Sequence, residues 1–437
     1  MKKAIIGFAF ILVVLTYAIS LSLRDPSALP STLETPNHPG FYDYRGIMNI
    51  QTTLSNGYMT PQEIIRLAQE TKLDFIVFQD LNRFIPGGPT EGWQRQLLVF
   101  NGAKYSYLES RMLALSPDRL KSVESLGQAQ TIIADLLSSE RRPSTKVDSL
   151  ILGQASRDGT EWAGIVPRGV AGLEVLNIHQ HINRLWRDDR MSLLWSMLIY
   201  PFNPELALVR LFADLDVDFN TWDRLSRDRP VYGVLGSDAG QPAKILGWPT
   251  NIPSYEALFN LASNHVLLRS EITGDFESDR EKIMNALMSG SSYFAFDSLG
   301  QTKGFATWYE DSKGIQSLGS RPLLDDRSRL LVRLPKKPTV PFETVVLRDG
   351  VGVMTSNSTE TEFRIYQPGV YRVAVRLFVR PSVLDGGRWI PWIITNPVTV
   401  QPRAQGSRSS ASAVQSTSSS GKTTWQLKRS SASKPRS

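Results

Sequence analysis

The chain opens on an uncharged, largely apolar run, residues 4 to 23 (AIIGFAFILVVLTYAISLSL), preceded by Lys2 and Lys3. A helix of about 20 apolar residues suffices to cross a bilayer core of roughly 30 Å. The pattern therefore predicts a transmembrane helix acting as a signal anchor or, with Ala18-Ile19-Ser20 as a cleavage site, a signal peptide. Positive charge before the run favours an inside N-terminus. Everything beyond Arg24 is then expected on the periplasmic or extracellular side, held to the membrane by the helix or secreted after cleavage. Residues 1–25 form this segment, and residues 26–40, rich in Pro, Ser and Thr without an apolar period, read as a linker.

From residue 41 the patterning alternates between strand and helix. MNIQTTL reads as a strand, PQEIIRLAQETK as an amphipathic helix with Pro61 in its first turn, and LDFIVFQD as a buried strand. LLVFNGAKY, DSLILGQA, AGLEVLNI and YGVLGSDAG suggest further βα units, each ending in the small or polar residues that α/β folds present at strand ends. After about residue 311 the runs RLLVRL, ETVVLRDG, TEFRIY, GVYRVAVRLFV and NPVTV, broken by Gly, Pro and Asn, predict an all-β sandwich over 311–402. Residues 403–437 hold little that could be buried and read as a disordered, basic, Ser-rich tail.

Composition narrows the chemistry. Among 437 residues there is no cysteine, which excludes disulfides, thiolate metal sites and cysteine nucleophiles. Only His38, His179, His181 and His265 could supply imidazole ligands. The net charge of +7 equals the seven cations of the tail: Arg403, Arg408, Lys422, Lys428, Arg429, Lys434 and Arg436. The rest of the chain is formally neutral and carries no electrostatic signature of specific nucleic-acid binding.

The string RGIMNIQTTLSNGYMTPQEIIRLAQETKLDFIVFQDLN resembles the opening of the PHP (polymerase and histidinol phosphatase) family, whose pattern reads DLHxHTxxSDGxxxPEELxxxAxxxGLDFIxxTDHN. The likeness continues in family order through LLVFNGAKYSYLESRMLAL, DSLILGQASRDGTEWAG, AGLEVLN, VYGVLGSDAG and REKIMNALMSGSSYFAFD, over residues 41–310. The C-terminal β-rich part looks like the module that accompanies some exported PHP proteins. The resemblance implies an α/β fold, a distorted βα (TIM-like, PHP-type) barrel followed by a smaller all-β sandwich. It also implies a metallophosphoesterase site in which His, Asp and Glu hold divalent metals and a metal-bound hydroxide attacks a phosphoester.

This chain departs from the pattern at nearly every ligand position. Asn49 and Gln51 replace the His-x-His pair, Asn56 the following Asp, and Leu81 the His after Asp80. Lys104 stands for a Glu, Arg111 for a His, Gln154 for the His of an Ala-His-Pro motif, and Gly240 for the His that closes the GSDAG segment. Only Asp238 survives. Amides and aliphatics are poor metal ligands, and Lys104 and Arg111 repel a cation. The reading is a pseudoenzyme with a binding or scaffolding role, without catalytic residues, metal or cofactor.

Lys104 and Arg111 could either line an anion site or pair with Asp80 and Asp238 as a structural plug, the reading preferred. An anionic ligand or a cell-envelope polymer is the partner class that follows. The rival is a metal-dependent phosphoesterase with a rebuilt zinc, manganese or iron site from His179, His181 and Asp238, with His179-x-His181 read as two imidazoles on one face of a strand.

Overall fold

The computed structural model describes residues 12–13, 15–30, 40–88, 90–108, 110–115, 120–138, 150–153, 166–213, 215–240, 243–245, 248–380 and 386–403. Gln154 and residues 404–437, which carry most of the predicted tail, lie outside them.

The first part of the described chain holds the strands β1 (Tyr42–Ile50), β2 (Phe75–Phe78), β3 (Gly92–Gln94), β4 (Leu97–Asn101), β5 (Ala103–Tyr107), β6 (Ser110–Ala114), β7 (Leu150–Gly153), β8 (Gly172–Asn177) and β9 (Tyr232–Ala239). The hairpin β10 (Ala243–Ile245) and β11 (Trp248–Thr250) follows, then β12 (Ser263–Leu268) and β13 (Ser292–Ala295). The helices are α1 (Pro61–Glu70), α2 (Leu126–Ser138), α3 (Ile178–Asp188), α4 (Arg190–Ile199), α5 (Pro204–Val209), α6 (Asp216–Asp228), α7 (Tyr255–Leu261) and α8 (Phe276–Ser289).

The C-terminal strands are β14 (Ala306–Asp311), β15 (Gly314–Gln316), β16 (Arg329–Arg333), β17 (Phe342–Arg348), β18 (Val351–Ser356), β19 (Glu360–Arg364), β20 (Gly369–Val379), β21 (Arg388–Thr395) and β22 (Val398–Val400). The class is therefore mixed α/β, with one large sheet and a separate four-stranded antiparallel sheet in the order β15-β14-β16-β19. Strands β17, β18, β20 and β21 do not stand apart from the first part of the chain: β21 pairs with β13, which pairs with β12 and so with β1. A bidentate pair from Arg372 on β20 to Asp223 on α6, at 2.7 and 2.6 Å, ties the same two regions together.

Parallel pairings run β7-β8-β9-β1-β2-β4. On the other side β5, β6 and β7 are antiparallel. Just beyond β2, Leu81 bridges Lys104 of β5, and Asn82 N–H donates to Lys104 O at 2.7 Å. Side-chain alternation divides the sheet into two faces. One carries Met48, Val77, Phe100, Leu113, Ile151, Val234 and Val266, which pack with Ile283 and Leu287 of α8. The other carries Ile47, Ile76, Val99, Met112, Leu152, Val175 and Leu235 in the larger core. Helix α1 shows why the segment folds: Thr60 caps it, accepting from Glu63 N–H while the Glu63 carboxylate takes Thr60 N–H, Pro61 fits the first turn, and Ile64, Ile65 and Ala68 are buried.

The N-terminal expectation is corrected. No helix among the described residues is long and apolar enough to cross a membrane. The structure thus gives no support to a transmembrane helix, to the membrane as a partner through it, or to a membrane-anchored location. The described end of the run instead docks on protein. Leu21 packs against Ile199, Leu206 and Ala207, and Asn203 Nδ2 donates to Leu21 O and Arg24 O at 3.0 and 2.8 Å.

Candidate functional site

Asn49, at the end of β1, and Asp238, near the end of β9, both adopt left-handed backbone, with φ of 59° and 49°. Asn and Asp tolerate this region better than other residues that carry a Cβ, and such conformations persist where the surroundings enforce them. Here the register between β1 and β9 shifts between Met48 and Ile50. Ser237 Oγ locks the shift by donating to Met48 O at 3.0 Å.

Around these two residues lies a buried polar network. The Lys104 ammonium, 1% exposed, lies on Asp238 Oδ1, and Asp238 is 3% exposed. Gln51 Nε2 donates to the same oxygen at 2.8 Å, and Asn177 Nδ2 to Asp238 Oδ2 at 3.2 Å. The neighbouring Glu174 is also buried. Its Oε1 accepts from Asn49 Nδ2 at 2.6 Å and its Oε2 from Asn177 Nδ2 at 3.0 Å. Every oxygen of the two carboxylates thus already accepts an N–H.

The orientations of the amides are fixed locally. Asn177 caps α3, its Oδ1 accepting from Gln180 N–H at 2.9 Å, so its Nδ2 must face the carboxylates. Asn56 Nδ2 donates to Gln51 Oε1 at 3.3 Å, which turns Gln51 Nε2 toward Asp238.

One cation among two buried acids sets the charge. Burial would raise the Asp238 pKa, but the Lys104 ammonium, helped by His179, holds it below the usual carboxylate range. Glu174 goes the other way: burial pushes it up to about 7, with Asp238 adding to the rise and Lys104 opposing it. Burial lowers the half-buried His179. Glu174 also depends on a glycine, because a Cβ at Gly236 would fall 1.6 Å from its Oε1.

Other sequence-predicted positions fall outside this network. Asp80 is not paired with Lys104 or Arg111. Its Oδ1 accepts Thr52 N–H at 2.7 Å and Ser55 Oγ–H at 2.5 Å, and its Oδ2 accepts Thr52 Oγ–H at 2.9 Å. Leu81 serves as a bridge residue, and Arg111 lies on β6 opposite Ser106. Gly240, with φ of 111°, could not carry a His without strain: its Cβ would lie 2.5 Å from the Tyr255 hydroxyl and 2.9 Å from Gln51 O.

The paired histidines are corrected in their element. Asn177 caps a helix just before them, so His179 and His181 lie on α3, about 200° apart around its axis. His181 faces the core, its Nε2–H donating to Leu211 O at 2.8 Å, its Nδ1 accepting from Arg184, and its ring stacked on Phe212. Among the described residues no group of three or more His, Asp or Glu could hold a metal. Glu174 and Asn177 are the members of the site that the resemblance did not point to.

A second buried cluster sits near the start of β1. Ser263 Oγ, His265 Nε2, His265 Nδ1 and Asp43 follow one another at 3.3 and 2.9 Å, the order of a hydrolytic triad. Its chemistry is structural. His265 also meets Asp297 at 3.3 Å, its pKa is pushed up to about 9 by the two carboxylates against the effect of burial, and Ser263 is sealed from solvent and donates to Asp297. A doubly paired imidazolium cannot take a proton from a serine.

No protein-family model matches the chain, and no curated protein matches it. Among solved structures it is similar to a two-domain protein from Bacteroides vulgatus containing a predicted PHP-like metal-dependent phosphoesterase. The identity is 10% and the TM-score 0.34, over 84% of this chain and 99% of that one. At that TM-score the likeness carries no argument about this chain.

Proposed function

We propose that residues 41–310 form a degenerate PHP-like barrel whose metal cavity is closed by its own side chains, so that the protein binds or scaffolds and does not hydrolyse phosphoesters. One observation carries this reading: the Lys104 ammonium lies on Asp238, the one ligand position that retains its acid. A divalent ion there would have to displace that ammonium and the amide donors of Gln51, Asn177 and Asn49, and would meet the repulsion of a cation held in a low-dielectric interior. The unusual backbone at Asn49 and Asp238 fits a site geometry kept after its ligands changed.

Lys104 is equally unavailable as an anion receptor, since its charge is already spent on Asp238. The test is thermal unfolding with and without zinc, manganese or ferrous ion in excess. The reading expects no rise in midpoint. A saturable rise that disappears in Asp238→Asn would favour a rebuilt metal site, because an ion that binds only the folded state must stabilise it.

A further inference from the structure

Between the loop that follows β1 and the turn that follows β2 lies a cleft of about 260 Å³. Its lining includes one anion, Asp80, and one cation, Arg83, together with Leu54, Phe78, Ile85 and the Asn101 amide. The two charges belong to one turn, Arg83 N–H donating to Asp80 O at 3.4 Å, yet the side chains do not satisfy each other. Asp80 is held by Thr52 and Ser55, with Oδ2 accepting a single bond from Thr52. The exposed Arg83 guanidinium makes no hydrogen bond or ion pair with any described residue. Leu54 and Ile85 are also exposed, at 46% and 43%, so the cleft combines separated opposite charges with an apolar wall.

From this we infer that the cleft binds an α-amino acid zwitterion with an aliphatic side chain. The carboxylate would face the Arg83 fork, the geometry for which a guanidinium is suited. The ammonium would donate to the spare lone pair of Asp80 Oδ2, and the aliphatic group would lie on Leu54, Ile85 and Phe78. A ligand of zero net charge matches a lining of zero net charge. A simple anion would face Asp80, and a simple cation would face Arg83. The inference goes beyond the loss of catalysis proposed above and does not depend on it, because the metal test can fail while this one succeeds.

The test is calorimetric titration of the full-length protein with L-leucine, with its amide, which lacks the carboxylate, and with 4-methylpentanoate, which lacks the ammonium. L-Leucine is expected to give a saturable heat at concentrations up to about 10 mM, and each analogue to bind about tenfold more weakly or worse, as loss of a charge-assisted contact implies. Arg83→Gln, at an exposed position, should keep the wild-type unfolding midpoint and lose at least about tenfold in affinity for L-leucine. No saturable heat with L-leucine, equal binding of 4-methylpentanoate, or unchanged affinity in Arg83→Gln would each overturn the inference.

Discussion

Lys104 and Asp238 come from β5 and β9, strands separated by β6, β7 and β8 in the large sheet, and meet as a buried ion pair in which the carboxylate is further held by Gln51 and Asn177. Removing only the cation leaves an uncompensated buried charge. Lys104→Met should therefore lower stability by about 3–5 kcal/mol, while Lys104→Met with Asp238→Asn should recover much of it. Urea denaturation of the two variants measures this, and equal losses in both would show that the pair is not the stabilising element.

Glu174 gives a pH signature. Its folded pKa, about 7, lies above its ordinary value of 4.5, so between these values the folded state holds more protons than the unfolded state. Stability should fall as pH rises through this window and level off above it. Glu174→Gln should flatten that part of the profile, as followed by urea midpoints from pH 4 to 8.

His265 carries the same sign in a higher window. Raised from 6.5 to about 9 by Asp43 and Asp297, it contributes stability that is full below pH 6.5 and is lost as pH rises through about 9. His265→Gln should be less stable at pH 6 and should lack the decline between 6.5 and 9. A decline that persists in the variant would assign the effect to another group.

Gly236 is required by contact. Gly236→Ala would drive a methyl into Glu174 Oε1 and should cost about 1–3 kcal/mol. Combining it with Glu174→Ala, which vacates the space, should make the two changes strongly non-additive. Additive losses in a double-mutant cycle would deny the contact.

Local patterning carried much of the fold. PQEIIRLAQE shows its first-turn proline and its apolar stripe in the letters, and GVYRVAVRLFV its strand. LLVFNGAKY divides at Gly102 into β4 and β5, a break that a continuous run conceals. The helix at His179 was missed because LEVLNIHQH continues a strand-like apolar run. The overriding signal is Asn177, whose capping side chain ends β8 and starts α3, with Ile178, Ile182 and Leu185 then at helical spacing.

The apolar run at the N-terminus shows the limit of hydropathy. Length and absence of charge predict a membrane span, but the described end of the run packs on another apolar helix, as Leu21 does on Ile199. In the site, the candidate positions Asn49, Gln51, Lys104 and Asp238 could be seen through the resemblance. Which carboxylate took Lys104 could not, since both Asp80 and Asp238 were available and Thr52 and Ser55 already satisfied the first.

Whether Lys104 fills a former metal cavity, as proposed, is decided by elemental analysis of the purified protein after exposure to zinc, manganese and iron and removal of free ion. Less than about a tenth of an equivalent of each metal is expected, because no carboxylate oxygen of Asp238 or Glu174 is without a donor. Stoichiometric metal that is lost in Asp238→Asn would contradict it.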